Sequence, residues 1–219
     1  MTSAWFWTHP LAMIDGADAG DAVGPTVVVF DLDGTLLDSD AALVRPFVAL
    51  GVPEDEITFG HPVEIECRRL GLEVADYVDA YDVDEASPFP GVVEMLDALG
   101  EWSVCSNKAR GSAVAELERL AWAPRVALFA DDFGGRAKSL GPVLEALGAS
   151  GAEVLFVGDT DHDRRCALEV GARFAWAGWN PRTLAGSPGG VVLERPVDVL
   201  GLLDRDFLEG DLLRDRSAD

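Results

Sequence analysis

Two aspartates stand two residues apart directly after a β-branched and aromatic run. The segment is VVVFDLDGTLLDS at 27–39, with Asp31 and Asp33 followed by Gly34 and Thr35. Carboxylates pressed together at the end of a buried strand repel unless a cation intervenes. Mg²⁺ with a phosphate group suits such a pair, because it prefers hard oxygen ligands and retains water. On its own, the short Asp-x-Asp-Gly pattern would equally describe two solvated turn aspartates. Further polar residues of the right kind follow: Ser106 and Asn107 in WSVCSNK, Lys138 in RAKSL, and Asp159 and Asp163 in VLFVGDTDHD. A serine after a strand is ordinarily a turn or cap residue. The Lys138 ammonium could balance an attacking carboxylate and the oxygens of a transferring phosphoryl group.

The elements that must position these residues are legible from hydrophobic periodicity. Continuous apolar runs at 27–30, 102–105, 126–129, 154–157 and 174–177 read as strands buried on both faces. Between them lie helical patterns: Val92, Leu96 and Leu99; Val114, Leu117 and Leu120; Leu140, Val143, Leu144 and Leu147. The alternation predicts an α/β fold, a doubly wound parallel sheet with helices on both faces. Ligands of such sheets bind at the carboxyl ends of the strands, where Asp31, Ser106 and Asp159 fall. Residues 38–87 break the alternation. They offer helical patterns (Val63, Cys67, Leu70; Val74, Tyr77, Val78, Tyr81) and no convincing strand, before SPFPG at 87–91 turns the chain back to the core. The expected organisation is an N-terminal extension at 1–25, a core domain of 26–37 and 88–219, and a helical cap domain at 38–87. Trp5, Phe6 and Trp7 are too apolar to lie in water, so the extension is expected to pack on the core or a partner.

Taken together, the four segments resemble, in order, the four motifs of the haloacid dehalogenase superfamily, over about residues 26–200. The joint pattern is far more specific than any single motif. The insertion resembles the helical cap of the phosphoglycolate phosphatase-like branch, with FGHPVE at 59–64 facing the active site. The resemblance implies a magnesium-dependent phosphohydrolase acting on a small phosphomonoester. Asp31 would be the nucleophile forming an aspartyl-phosphate, and Asp33 the general acid and base. Mg²⁺ would be held by Asp31, Asp159 and the backbone carbonyl of Asp33, with Asp163 contacting it directly or through water. Ser106, Asn107 and Lys138 would bind the phosphoryl group. His61 would contact the leaving group, for which Arg45, Arg68 and Arg69 are further candidates, although each arginine reads more readily as part of a solvated helix face. Asp161 reads as a solvated loop or helix-start residue and His162 as a turn residue. Where the family often has proline directly after the third-motif lysine, this chain has Ser139, with Pro142 later. A sugar-phosphate mutase or a pyrophosphatase of the same family would use the same residues. A non-catalytic, receiver-like phosphate-binding module is the rival from another class, but it would need neither Asp33 nor the cap.

Composition narrows the partners. Seventeen Lys and Arg against 39 Asp and Glu give a formal charge of -22, a field that repels nucleic acid and anionic headgroups. Only two of the basic residues are lysine, Lys108 and Lys138. A compact ammonium is expected to matter at Lys138 and less at Lys108. Three cysteines without CxxC spacing signal neither a disulfide framework nor a zinc site and fit a reducing cytoplasm. No run approaches the ~20 apolar residues of a membrane span. The GGRAKS segment fails as a nucleotide-binding loop, because Asp132 and Ala137 hold the positions that require glycine. The expected partner is a small phosphorylated metabolite, with no nucleic acid and no membrane, and the expected assembly is a monomer or homodimer.

Overall fold

The computed structural model describes residues 24–58, 61–186 and 189–203. The expected extension at 1–25 therefore lies almost wholly outside the described residues, as do Phe59 and Gly60 of the cap loop. Strand β1 (Val27–Phe30) is followed by β2 (Leu37–Asp38), helices α1 (Asp40–Ala49), α2 (Val63–Leu70) and α3 (Val74–Ala80), and β3 (Ser87–Pro88). The chain continues through α4 (Val92–Leu99), β4 (Ser103–Cys105), α5 (Arg110–Arg119), β5 (Ala127–Leu128) and α6 (Gly141–Leu147). It ends in β6 (Val154–Gly158), α7 (Asp161–Glu169), β7 (Arg173–Ala177), α8 (Pro181–Ala185) and β8 (Val192–Leu193).

Six strands form one parallel sheet in the order β5-β4-β1-β6-β7-β8. The period of two along β1 sends Val28 and Phe30 into one apolar cluster, with Val92, Met95 and Leu99 of α4. Val29 goes into a second cluster with Val143 and Leu144 of α6 and Cys166 of α7. The two clusters are the two covered faces expected of a doubly wound sheet. The connection leaving β1 runs toward β4, and the one leaving β6 runs toward β7 on the other side. The crevice outside the carboxyl ends of β1 and β6 is thus the topological switch point.

Three details depart from the periodicity. Residues 38–87 are not strandless at their ends: β2 and β3 pair antiparallel, Leu37 with Pro88 and Asp38 with Ser87, where the chain leaves the sheet region and returns. Two-residue strands are too short to show a period. Between them α1–α3 carry a small cluster of their own, Phe47, Val52, Cys67 and Tyr77. In α5 the buried stripe is Ala113, Glu116 and Leu117, while Val114 is exposed. The burial of Glu116 follows from an ion pair that no apolar pattern encodes. His162 lies inside α7, not in a turn, whereas Asp161 opens that helix and is exposed.

Candidate active site

Asp31 and Asp159 follow adjacent strands in register, Phe30 opposite Val157, and the Asp31 amide donates to the Val157 carbonyl at 3.0 Å. The loop after Asp31 is held by amides of Thr35, Leu36 and Leu37 returning to the Leu32 carbonyl. Gly34 is required here. Its φ is +77°, and a Cβ would lie 2.5 Å from Asp159 Oδ2 and 2.6 Å from Arg182 Nη2. Trp179 and Asn180, after β7, pin the same loop by donating to the Thr35 and Gly34 carbonyls at 2.8 Å each.

Asp163 reaches the site because Gly158 has no side chain; a Cβ there would stand 2.5 Å from Asp163. One carboxylate oxygen, Oδ2, accepts from the Thr160 amide at 2.9 Å and hydroxyl at 2.6 Å, closing a capping box on α7. The other, Oδ1, meets the Lys138 ammonium at 2.7 Å, and that same ammonium lies 2.7 Å from Asp31 Oδ1. The backbone of Lys138 is fixed as firmly. Its amide donates to Asn107 Oδ1 at 2.7 Å, and its carbonyl contacts His162 Nε2 at 3.1 Å and Cys166 Sγ at 3.3 Å. Pro142 enters the first turn of α6, four residues beyond Lys138.

Burial sets the electrostatics. Desolvation pushes the Asp31 carboxyl up to about 6 despite Lys138, with Asp163 and Asp33 adding to the rise. Desolvation and the neighbouring Asp163 and Asp31 push Asp159 up to about 7, against the guanidinium of Arg182. Burial alone would lower Lys138, but Asp163 and Asp31 outweigh it and hold its pKa above the ordinary lysine value. Asp31, Asp159 and Asp163 each offer a carboxylate oxygen within 4.8 Å of the others. An all-oxygen, carboxylate-rich cluster in which Asp31 and Asp159 resist ionisation fits a hard divalent cation such as Mg²⁺.

The Asp33 carboxylate is turned away from that cluster. It accepts from the Lys108 ammonium at 2.8 Å, which also meets the Tyr81 hydroxyl at 2.8 Å and Glu116 Oε1 at 3.0 Å. The Tyr81 hydroxyl in turn donates to Glu116.

One cavity is lined by Asp31, Asp33, Ser106, Asn107, Lys138, Asp159 and His61, so seven of the eight residues expected from the sequence share a wall. Asp163, fully buried, stands behind it. Ser106 Oγ accepts from the Lys108 amide at 3.3 Å. His61 meets Glu66 Oε2 at 2.9 Å on the cap side. The three cap arginines are not in the lining: Arg45 pairs with Glu85 and Arg69 with Glu66, while Arg68 is exposed. Lys108, Tyr81 and Arg182 also line the cavity, none of them expected from the sequence as a site residue. Lys108, expected to matter less than Lys138, adjoins Ser106 and Asn107, and that adjacency was the signal of its place in the site. Arg182 sits in a loop-to-helix segment with no signal. It reaches Asp159 Oδ2 at 2.7 Å and Asp40 Oδ1 at 3.0 Å.

The family model of haloacid dehalogenase-like hydrolases matches residues 28–177. A phosphoglycolate phosphatase of Aquifex aeolicus is 29% identical over 210 residues, covering 84% of this chain and 99% of that protein. One of Caulobacter vibrioides is 30% identical over 231 residues, covering 86% and 90%. Among solved structures, one from Lactobacillus plantarum superposes with a TM-score of 0.67 at 21% identity over 83% of this chain and all of the other. A haloacid dehalogenase-superfamily hydrolase from Geobacter sulfurreducens gives 0.59 at 23% identity, covering 83% and 99%.

Proposed function

Because the chain belongs to the haloacid dehalogenase-like hydrolases, of the phosphoglycolate phosphatase-like kind, and is a phosphatase, we propose that it hydrolyses a small phosphomonoester through an aspartyl-phosphate formed on Asp31. One observation carries this reading: the two aspartates of the first motif have different surroundings. Asp31 stands in the carboxylate cluster under the Lys138 ammonium, while Asp33 is held 2.8 Å from Lys108, outside the cluster. A nucleophile and a proton carrier need that separation, since a carboxylate bound to the cation could not carry a proton.

Asp31 attacks phosphorus, and the bond to the leaving oxygen breaks as Asp33 delivers a proton to it. Water then attacks the acyl phosphate, Asp33 takes back a proton, and the bond to the Asp31 oxygen breaks, releasing phosphate. Lys138, touching Asp31, balances charge on the phosphoryl oxygens, and the Ser106 hydroxyl and Asn107 side the same cavity. Asp31 and Asp159 would hold Mg²⁺, together with the Asp33 carbonyl and with Asp163 directly or through water. The ion supplies positive charge against the phosphate dianion. The helices of residues 38–87 act as a cap domain over the core formed by 26–37 and 88–219, presenting His61 to the leaving group. No helix among the described residues is long and apolar enough to cross a membrane. The three cysteines are free and buried, which suits a reducing cytoplasm.

The test is release of inorganic phosphate from a panel of phosphomonoesters, with Mg²⁺ and then with chelator, alongside product analysis for phosphoryl return to a sugar. Acid-quenched protein should carry phosphate on Asp31 by mass spectrometry, and Asp31→Asn should carry none and turn over nothing while keeping its fold. Turnover by Asp31→Asn would overturn the nucleophile assignment.

A further inference from the structure

The charges lining the cavity are already matched. The Lys138 ammonium lies between Asp31 and Asp163, Lys108 between Asp33 and Glu116, and Arg182 between Asp159 and Asp40. On the cap wall, the ring of His61 meets Glu66. Glu66 is buried, and its carboxylate collects both nitrogens of the Arg69 fork, the Thr58 amide and hydroxyl, and His61. Although burial would raise it, these partners hold the Glu66 carboxyl down at about 2, so it is ionised at working pH. Arg69 is thereby directed onto Glu66 and the Glu56 carbonyl and lies outside the cavity lining.

The hydroxyls of Thr58, Tyr77 and Tyr81 on the same wall already donate to Glu66, the Leu43 carbonyl and Glu116, and the remaining cap lining is apolar. Phe47 and Tyr77 pack with ring centroids 4.5 Å apart and planes tilted by 46°, and Ile57 and Val78 join them in the cavity lining. A phosphate entering over Asp31 finds Lys138 and the candidate cation site. A second anionic group, carried toward the cap, meets Glu66, hydroxyls already engaged with other acceptors, and hydrocarbon, and among the described residues no lining cation is without a carboxylate partner.

We infer that the substrate's leaving group is an uncharged, partly apolar alcohol, and that the cap wall of Phe47, Tyr77, Val78 and Glu66 discriminates against leaving groups bearing a carboxylate. The inference rests on the phosphatase reading and sharpens it, since it separates this chain from the substrate that its relatives' names carry. The physical basis is that a buried charge left unpaired costs far more than an uncharged group of the same shape, and a like charge across a site adds to that cost.

Two isosteric pairs isolate the charge: phosphoglycolate against phosphoglycolamide, and para-carboxyphenyl against para-carbamoylphenyl phosphate. With Mg²⁺ present, kcat/KM should favour the amide by about tenfold or more in both pairs. Val78, 46% exposed, tolerates a longer side chain, so Val78→Lys should place an ammonium at the cap wall and narrow both ratios. Val78→Gln, polar and one atom shorter but uncharged, should leave them wide. Equal rates within each pair, or preference for the carboxylates, overturns the inference while leaving the phosphatase reading standing. Ratios that Val78→Lys leaves unmoved overturn the assignment to the cap wall. If none of the four esters, nor an activated aryl phosphate, releases phosphate, the underlying reading falls and this inference with it.

Discussion

Lys108 donates to Asp33 at 2.8 Å while the same ammonium stands 3.0 Å from the wholly buried Glu116. Burial, with the Asp33 charge adding to it and Lys108 opposing it, pushes the Glu116 carboxyl up to about 7, and the Tyr81 hydroxyl donates to the same oxygen that faces Lys108. The group that would carry the proton in turnover is therefore held by a side chain that is itself held from behind. Tyr81 lies just past α3, so the arrangement also joins the cap helices to the acid.

Replacing Lys108 by methionine keeps length and removes the donor. The expected result is a fall in kcat of about tenfold or more on alkyl phosphates, where the leaving oxygen needs a proton, set against the ~10²- to 10⁴-fold typical of acid–base catalysis. The loss on an activated aryl phosphate should be smaller, because that leaving group departs unprotonated. Equal losses on both, measured by steady-state kinetics with saturating Mg²⁺, would assign Lys108 to folding alone.

A second expectation concerns stability. Asp31 and Asp159 have folded-state values of about 6 and about 7, above the 3.8 of an unperturbed aspartate. The metal-free folded state therefore binds protons more tightly than the unfolded chain. Its contribution from these two groups is complete below about pH 4 and is lost as pH rises through about 7. In chelator, thermal scans should show Tm falling across that window relative to Asp159→Asn, whose amide does not titrate. Mg²⁺ should restore Tm most at the alkaline end, where both carboxylates are free to bind it. A Tm difference between the two proteins that does not change with pH would show that Asp159 is ionised throughout.

The strands were legible because parallel sheets bury both faces, so that Val27 to Phe30 and Val154 to Val157 read as unbroken apolar runs. The residues that finish those strands were legible for the same reason, since topology sends the carboxyl ends to one edge. What could not be read are pairings across long sequence separations. Glu116 on α5 carries no mark of burial until Lys108 and Tyr81 are placed around it. Arg182 reaches Asp159 only because Asn180 and Trp179 fix its loop against residues 34 and 35. Lys108 adjoins the second motif and its amide enters that turn, but its long side chain doubles back to Asp33, a reach that local sequence does not encode.

At the cap, His61 touches Glu66 and lines the cavity but contacts no group of the carboxylate cluster. His61→Ala is expected to reorder a substrate panel more than it slows an activated aryl phosphate. Thr58, already bonded to Glu66, keeps that carboxylate partly satisfied in the variant, so the fold should survive. A uniform loss across the panel would instead point to His61 as a support for cap closure.

The sharpest test falls on Lys138. Its ammonium is almost wholly buried and sits 2.7 Å from both Asp31 Oδ1 and Asp163 Oδ1, so it bridges the nucleophile to the cap of α7 as a point charge. A guanidinium keeps the charge but is planar and wider. It would have to displace either the Asp163 capping box or the space over Asp31 that a phosphoryl group enters. The backbone offers no slack, because the Lys138 amide and carbonyl are fixed by Asn107, His162 and Cys166. Lys138→Arg should therefore lose most of the activity despite conserving charge, and Lys138→Met should lose it while also freeing Asp31 to rise further in pKa, since the ammonium that opposes its burial is gone. Steady-state kinetics on both variants, after circular dichroism has established that each is folded, decides the matter. Near-normal kcat and KM in Lys138→Arg would mean that this ammonium does not serve the transferring group, and the phosphoryl site would have to be rebuilt around Ser106 and Lys108.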